Sequence, residues 1–155
     1  MSWRSSSITA SDELTLEASE AEVLALDAAA FARALSDPTA RARYERLAAA
    51  ASVGAVPQDL IAPLETMLEL VFEKGRPSNR AVLQAIFART PRGRQQSAAA
   101  RDVNEALRSL KGQRLEDVRL SAGPSRHTLV LETDRCRLTL ELDAAGARVA
   151  SLETG

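Results

Sequence analysis

The periodicity of the chain changes once, at Gly112, and that change constrains the fold more than any other feature. Before it, apolar residues recur at helical spacing; after it they alternate with polar ones. The segments "DVRLSAG", "HTLVLET", "CRLTLELD" and "ARVASLET" read as four antiparallel strands joined by short turns. With Asp134-Arg135 as a two-residue turn, Thr133 faces Cys136. That register sets Leu131 opposite Leu138 and Leu129 opposite Leu140 on one face, with Glu132 opposite Arg137 on the other. Apolar alignment and charge pairing thus agree on a single register. "DAAG", residues 143–146, supplies the next turn, with Gly146 in the left-handed region. About five helices followed by a four-stranded meander, whose apolar face they cover, make an α+β arrangement.

The helical half carries its own punctuation. Residues 1–18 are Ser-rich and without period, which predicts a flexible arm ahead of a single domain over 19–155. Ser19 and Glu22 have the spacing of a capping box, and Leu24, Ala28, Phe31 and Leu35 follow at helical intervals. Asp37 is a good N-cap with Pro38 behind it at the first helical position. From Pro57 to Lys74, Leu60, Ile61, Leu64, Met67, Leu68, Val71 and Phe72 form an apolar stripe, interrupted by Pro63. Glu65, Glu69 and Glu73 form an acidic line beside it. A further helix places Val82, Leu83, Ile86 and Phe87 inward. Pro91 breaks it, "PRGR" reads as a loop, and a last helix runs to Leu110 before Lys111-Gly112.

At 155 residues the chain is long enough to bury a core without staples. Only five aromatic residues occur, so that core must be aliphatic and Ala-rich, with closely packed helices. A single cysteine, Cys136, excludes an intramolecular disulfide. No stretch approaches the roughly 20 apolar residues of a membrane span, and the N-terminus lacks the apolar run of a signal peptide. These features predict a cytoplasmic protein with no membrane partner.

"LSDPTARARYERL" resembles the end of J-domain co-chaperones, where an SDP turn precedes an Arg/Tyr-rich helix. That family acts through a His-Pro-Asp tripeptide, and here the only histidine is His127. "ALSDPT" is also similar to a helix start of metal-sensing winged-helix repressors, whose polar recognition helix has no counterpart in the acidic segment that follows. Both likenesses express one piece of physics: Ser ends a helix, Asp caps the next, and Pro fits its first turn. They assign no family.

Chemistry is sparsely represented. Six residues of strand separate His127 from Cys136 across the proposed hairpin, roughly 20 Å, so they form neither a dyad nor a metal pair. Neither "GxxxxGK" nor "GxGxxG" occurs, and no His/Cys spacing suits a metal. The reading is therefore no catalytic residue, no metal and no cofactor. Charge is more informative. Residues 1–73 hold 5 basic and 12 acidic side chains, net −7; residues 74–114 hold 10 and 2, net +8; residues 115–155 hold 5 and 7, net −2. The basic segment nominates Arg76, Arg80, Arg89, Arg92 and Arg94 as contacts for a polyanion or an acidic partner. Two functions follow: a regulatory or adaptor module that binds another protein or itself as a homo-oligomer, or a nucleic-acid-associated protein that grips DNA or RNA backbone through 74–114.

Overall fold

The computed structural model describes residues 13–75 and 77–155. Five α-helices precede a four-stranded antiparallel sheet, and a small two-stranded sheet completes a mixed α+β architecture. The chain divides between Thr90 and Pro91 into two compact units. The sequence suggested one domain from residue 19 onward; buried side chains form two clusters, one within each unit.

The first unit comprises β1 (Leu14–Thr15), α1 (Ala18–Ala34), α2 (Pro38–Ser52), β2 (Ala55–Val56), a 3-10 turn (Gln58–Leu60), α3 (Ile61–Lys74) and α4 (Arg80–Ala88). Of the arm expected over 1–18, residues 1–12 lie outside the described residues, and Leu14, Thr15 and Ala18 belong to regular elements. Leu14 pairs with Val56 and Thr15 with Ala55, and Leu16 is buried. The alternation of Leu14 and Leu16 is the signal, too brief to stand out. The expected capping box is also absent: α1 starts at Ala18, with Glu17 at its N-cap and no side-chain cap. Glu20, in that first turn, is instead buried and ion-paired with Arg89, so a tertiary contact replaces the local one.

The "SDP" turn is built as read. Ala40 N donates to Asp37 Oδ2 at 2.8 Å, with Pro38 at the first helical position. Arg41 adds a clamp the sequence did not advertise, donating through Nη2 and Nε to the carbonyl of Leu35 at 2.7 and 3.2 Å. The turn thus satisfies orphan groups of both helices it joins. Pro63 occupies the first turn of α3, where it breaks nothing. The core runs through Leu24, Leu47, Leu64, Leu68, Leu83 and Ile86, and buried Ala28, Ala32 and Ala51 add to it without bulk. Phe31 meets Tyr44 edge-on at 4.7 Å between ring centroids.

The second unit holds α5 (Pro91–Ser109), β3 (Leu115–Ala122), β4 (His127–Thr133), β5 (Cys136–Asp143) and β6 (Gly146–Thr154), with strand order β3-β4-β5-β6. Here "PRGR" is not a loop but the first turn of α5: Pro91 breaks one helix and starts the next from its first position. Gly112, at φ 80°, turns the chain out of α5 where a side chain would be strained. The turn at Asp134-Arg135 anchors this corner. Arg114 N donates to Asp134 Oδ1, Asp134 N to the Arg114 carbonyl, and Thr133 Oγ1 to Gln113 Oε1 at 2.6 Å. The hairpin register matches the sequence reading: Leu129 faces Leu140, Leu131 faces Leu138, and Glu132 faces Arg137. Val103 and Ala106 of α5 pack on buried Leu138 and Leu140, flanked by Leu129, Leu131 and Val149.

Leu140, 3% exposed at the centre of this cluster, is the side chain whose loss the second unit should feel most. Leu140→Ala should lower its unfolding free energy by about 2–5 kcal/mol, as core truncations do. Denaturant melts followed by circular dichroism measure this, and a change below about 0.5 kcal/mol, the size of a surface effect, would contradict the packing described.

Candidate binding surface

Four regions of the molecule have the composition of a site: the basic residues, the His127–Cys136 hairpin, a groove in the first unit, and the sheet face in the second.

The basic residues do not form one cluster. Arg76 lies outside the described residues. Arg80 opens α4 and stacks over Phe72, its guanidinium carbon 5.4 Å from the ring centroid. Arg89 follows the last turn of the same helix and binds Glu20, whose side chain is only 11% exposed. Its Nε is buried without a partner, and the guanidinium is engaged with Glu20 at the margin of the core. Arg92 and Arg94 belong to the second unit and sit on the first turn of α5, Arg92 half-buried and engaged, Arg94 exposed. Sequence reasoning overlooked a different alignment. Arg94, Arg101 and Arg108 recur every seven residues along α5, all exposed. Among the described residues none of the three is ion-paired, although Asp102 and Glu105 are interspersed with them.

The hairpin residues stand apart, as expected. His127 pairs with Leu142 at the open end, while Cys136 adjoins the Asp134-Arg135 turn. The Cys136 thiol is buried and donates to Gln113 Oε1 at 3.2 Å, beside Thr133. Among the described residues no group of three or more His, Cys, Asp and Glu is placed to hold a metal. No described helix is long and apolar enough to cross a membrane.

In the first unit a groove of about 610 Å³ is lined by Phe31, Leu35, Leu70 and Val71, with Asp27 and Lys74 at its polar margin. Burial raises the Asp27 carboxyl above its usual range. The groove reaches Gly75 and Pro77, on either side of residue 76.

The sheet has two unlike faces. One is laced with ion pairs: Arg148 bonds Glu141 at 2.7 Å and Asp143 at 2.8 Å, Arg126 reaches Glu141, and Arg119 reaches Asp117 and Glu132. Hydrogen bonding from Arg148 is the main cause that holds the Glu141 and Asp143 carboxyls below their usual ranges, and the same bonds raise Arg148. The other face is apolar across all four strands, but α5 covers only part of it. Val118 faces Leu131 and Leu120 faces Leu129, which places both β3 side chains on the same face as buried Leu138 and Leu140. Yet Val118 is 47% exposed and Leu120 65%, and Leu115 is exposed as well. All eight residues of β3 are exposed.

Two measurements test these assignments. Arg89→Ala leaves a nearly buried Glu20 carboxylate without its cation and should destabilise the first unit by about 1–3 kcal/mol; adding Glu20→Gln should recover part of the loss. In the second unit the depressed Glu141 and Asp143 pKa values carry a definite sign. Their contribution is present above the unfolded carboxylate values, near pH 4, and lost as pH falls through the lower folded ones. Stability of the wild type should therefore drop on acidification below about pH 4, and Arg148→Ala should flatten that drop in melts taken across the acid range.

No protein-family model matches the chain, and comparison with characterised proteins and with solved structures gives no match.

Proposed function

We propose that this chain is a non-catalytic cytosolic adaptor or regulatory protein, and that it docks protein through the open apolar face of β3 and β4. One observation carries this reading. Val118 and Leu120 are both exposed, on the same sheet face and in register with Leu131 and Leu129, whose neighbours Leu138 and Leu140 are core. A soluble chain that leaves a contiguous apolar surface open keeps a favourable desolvation free energy in reserve for a partner. The ion-paired face offers the contrast: its polar groups are already matched to each other.

A nucleic-acid reading has one supporting observation, the exposed line of Arg94, Arg101 and Arg108, spaced about 10.5 Å apart along the α5 axis. It is the weaker of the two, because Asp102 and Glu105 dilute that line and Arg89 is committed to Glu20. If phosphate binding operates there, affinity should fall linearly in log–log form as salt rises, and Arg94→Ala with Arg101→Ala should flatten the slope by about 2.

The docking reading is tested with a photo-reactive side chain at Leu120, compared with one at Arg137, exposed on the opposite face of β5. Irradiation in cells should give a discrete protein adduct from Leu120 and markedly less from Arg137. Leu120→Ser should abolish that adduct when the probe is moved to Val118, while changing stability by no more than about 0.5 kcal/mol, as an exposed position allows. Absence of any protein adduct from Leu120 would overturn the reading.

A further inference from the structure

We infer that the partner docking at this edge of the sheet is a second copy of the chain, which adds its own β3 antiparallel to the first about a two-fold axis at Val118 and brings the apolar side chains of the two copies side by side. The inference rests on the docking reading and specifies its partner. β3 is an edge strand, so half of its backbone N–H and C=O groups point away from β4 and are open to another strand. Natural edges are blunted by charged side chains, above all lysine, by proline or by a bulge; β3 has no lysine or proline, its bulge is confined to its start, and its charges at Asp117 and Arg119 are of opposite sign.

The position of the bulges distinguishes the two edges of the sheet. Irregularity in β3 lies at its start, between Leu115 and Asp117, and Asp117 to Ala122 then pair with β4 without interruption. In β6 the irregularity falls mid-strand, where Thr139 faces Ser151 but Leu140 faces Val149, and α5 packs alongside. β3 is therefore the edge whose middle is regular; a two-fold at Val118 pairs Asp117–Arg119 of the two copies there and sets Leu120 opposite Glu116 at the irregular start.

Charge selects the register. Asp117 and Arg119 flank Val118 on the ion-paired face, 49% and 58% exposed at their side chains. Antiparallel pairing with Val118 opposite Val118 sets Asp117 of each copy opposite Arg119 of the other, giving two cross-strand ion pairs, and puts Leu120 diagonal to the second copy's Val118. Centring the axis on Arg119 would place like charges opposite each other. Centring it on Leu120 would set Arg119 against Ser121 and give no ion pair. Arg119 already bonds its own Asp117 at 3.0 Å and lies 3.7 Å from Glu132, but its five donors leave capacity for a second carboxylate.

Sedimentation velocity on the full chain, from about 1 to about 100 µM, should show conversion from 16.6 kDa to twice that mass. Asp117→Arg puts arginines opposite Arg119, and Arg119→Asp puts aspartates opposite Asp117, so each variant alone should weaken association by about tenfold or more. An equimolar mixture of the two restores both ion pairs and should associate as the wild type does. A wild type that stays monomeric throughout, or folded variants that fail to recover on mixing, would overturn the inference. So would single variants that associate undiminished. Circular dichroism establishes that each variant is folded. If either is not, Val118→Cys, with Cys136 buried, serves instead: a short thiol cross-linker should join two copies at 118 faster than at Leu120→Cys, and the reverse order overturns the register. A Leu120 photo-adduct with a different protein, from a chain that is monomeric, overturns self-pairing while leaving the docking reading intact.

Discussion

A four-stranded sheet with one apolar face needs more cover than a single helix supplies. Strands lie about 4.8 Å apart, so four of them present a face roughly 15–19 Å wide, while a helix with its side chains is about 10–12 Å across. In the second unit that helix is α5, and it is packed on the β5–β6 side through Val103 and Ala106. Everything distinctive about the unit follows from this mismatch. Leu138 and Leu140 become core, Leu129 and Leu131 a half-buried border, and Val118 and Leu120 an open apolar strip. Identical chemistry along one face acquires three different roles from distance to the helix alone.

The charge asymmetry along the chain resolves in a comparably uneven way. The net −7 of the first 73 residues and the net +8 of the next 41 suggest two opposed surfaces. Part of the imbalance is neutralised within the first unit, where Arg89 is drawn to Glu20 and away from solvent. Another part is removed from the acidic line itself, since Glu65 is buried and engaged. What remains exposed on α5 is a spaced row of arginines with acids among them. A formal charge of +8 over a segment is thus a poor measure of the field that segment presents.

Much of the fold is legible in the residues because the signals are local. Asp37-Pro38 joins an N-cap carboxylate to a first-position proline, which together start α2, and one two-residue turn fixes the β4–β5 register through both its apolar and its charged pairs. The failures have a shared cause. Pro91 carries the same local signal whether it ends α4 or begins α5, so "PRGR" read as a loop. The Ser19 box is locally plausible, and loses to a partner 69 residues away from Glu20. β1 is two residues long, below any periodicity. The candidate surface has the same character: alternation shows that Val118 and Leu120 share a face with Leu129 and Leu131, but no local pattern tells how far across that face α5 extends.

The two faces of β3 therefore divide recognition between them. Desolvation of Val118 and Leu120 supplies attraction without direction, since any apolar surface would satisfy it. Asp117 and Arg119 on the reverse face supply direction without much attraction, because exposed ion pairs contribute little net free energy. Joined on one strand they do what neither does separately, because an antiparallel partner must satisfy both faces at one register. A one-residue slip would bring like charges together at Arg119 even while leaving valine and leucine in contact. The backbone of an edge strand accepts any other strand, and it is these two charges that make one register preferable to its neighbours.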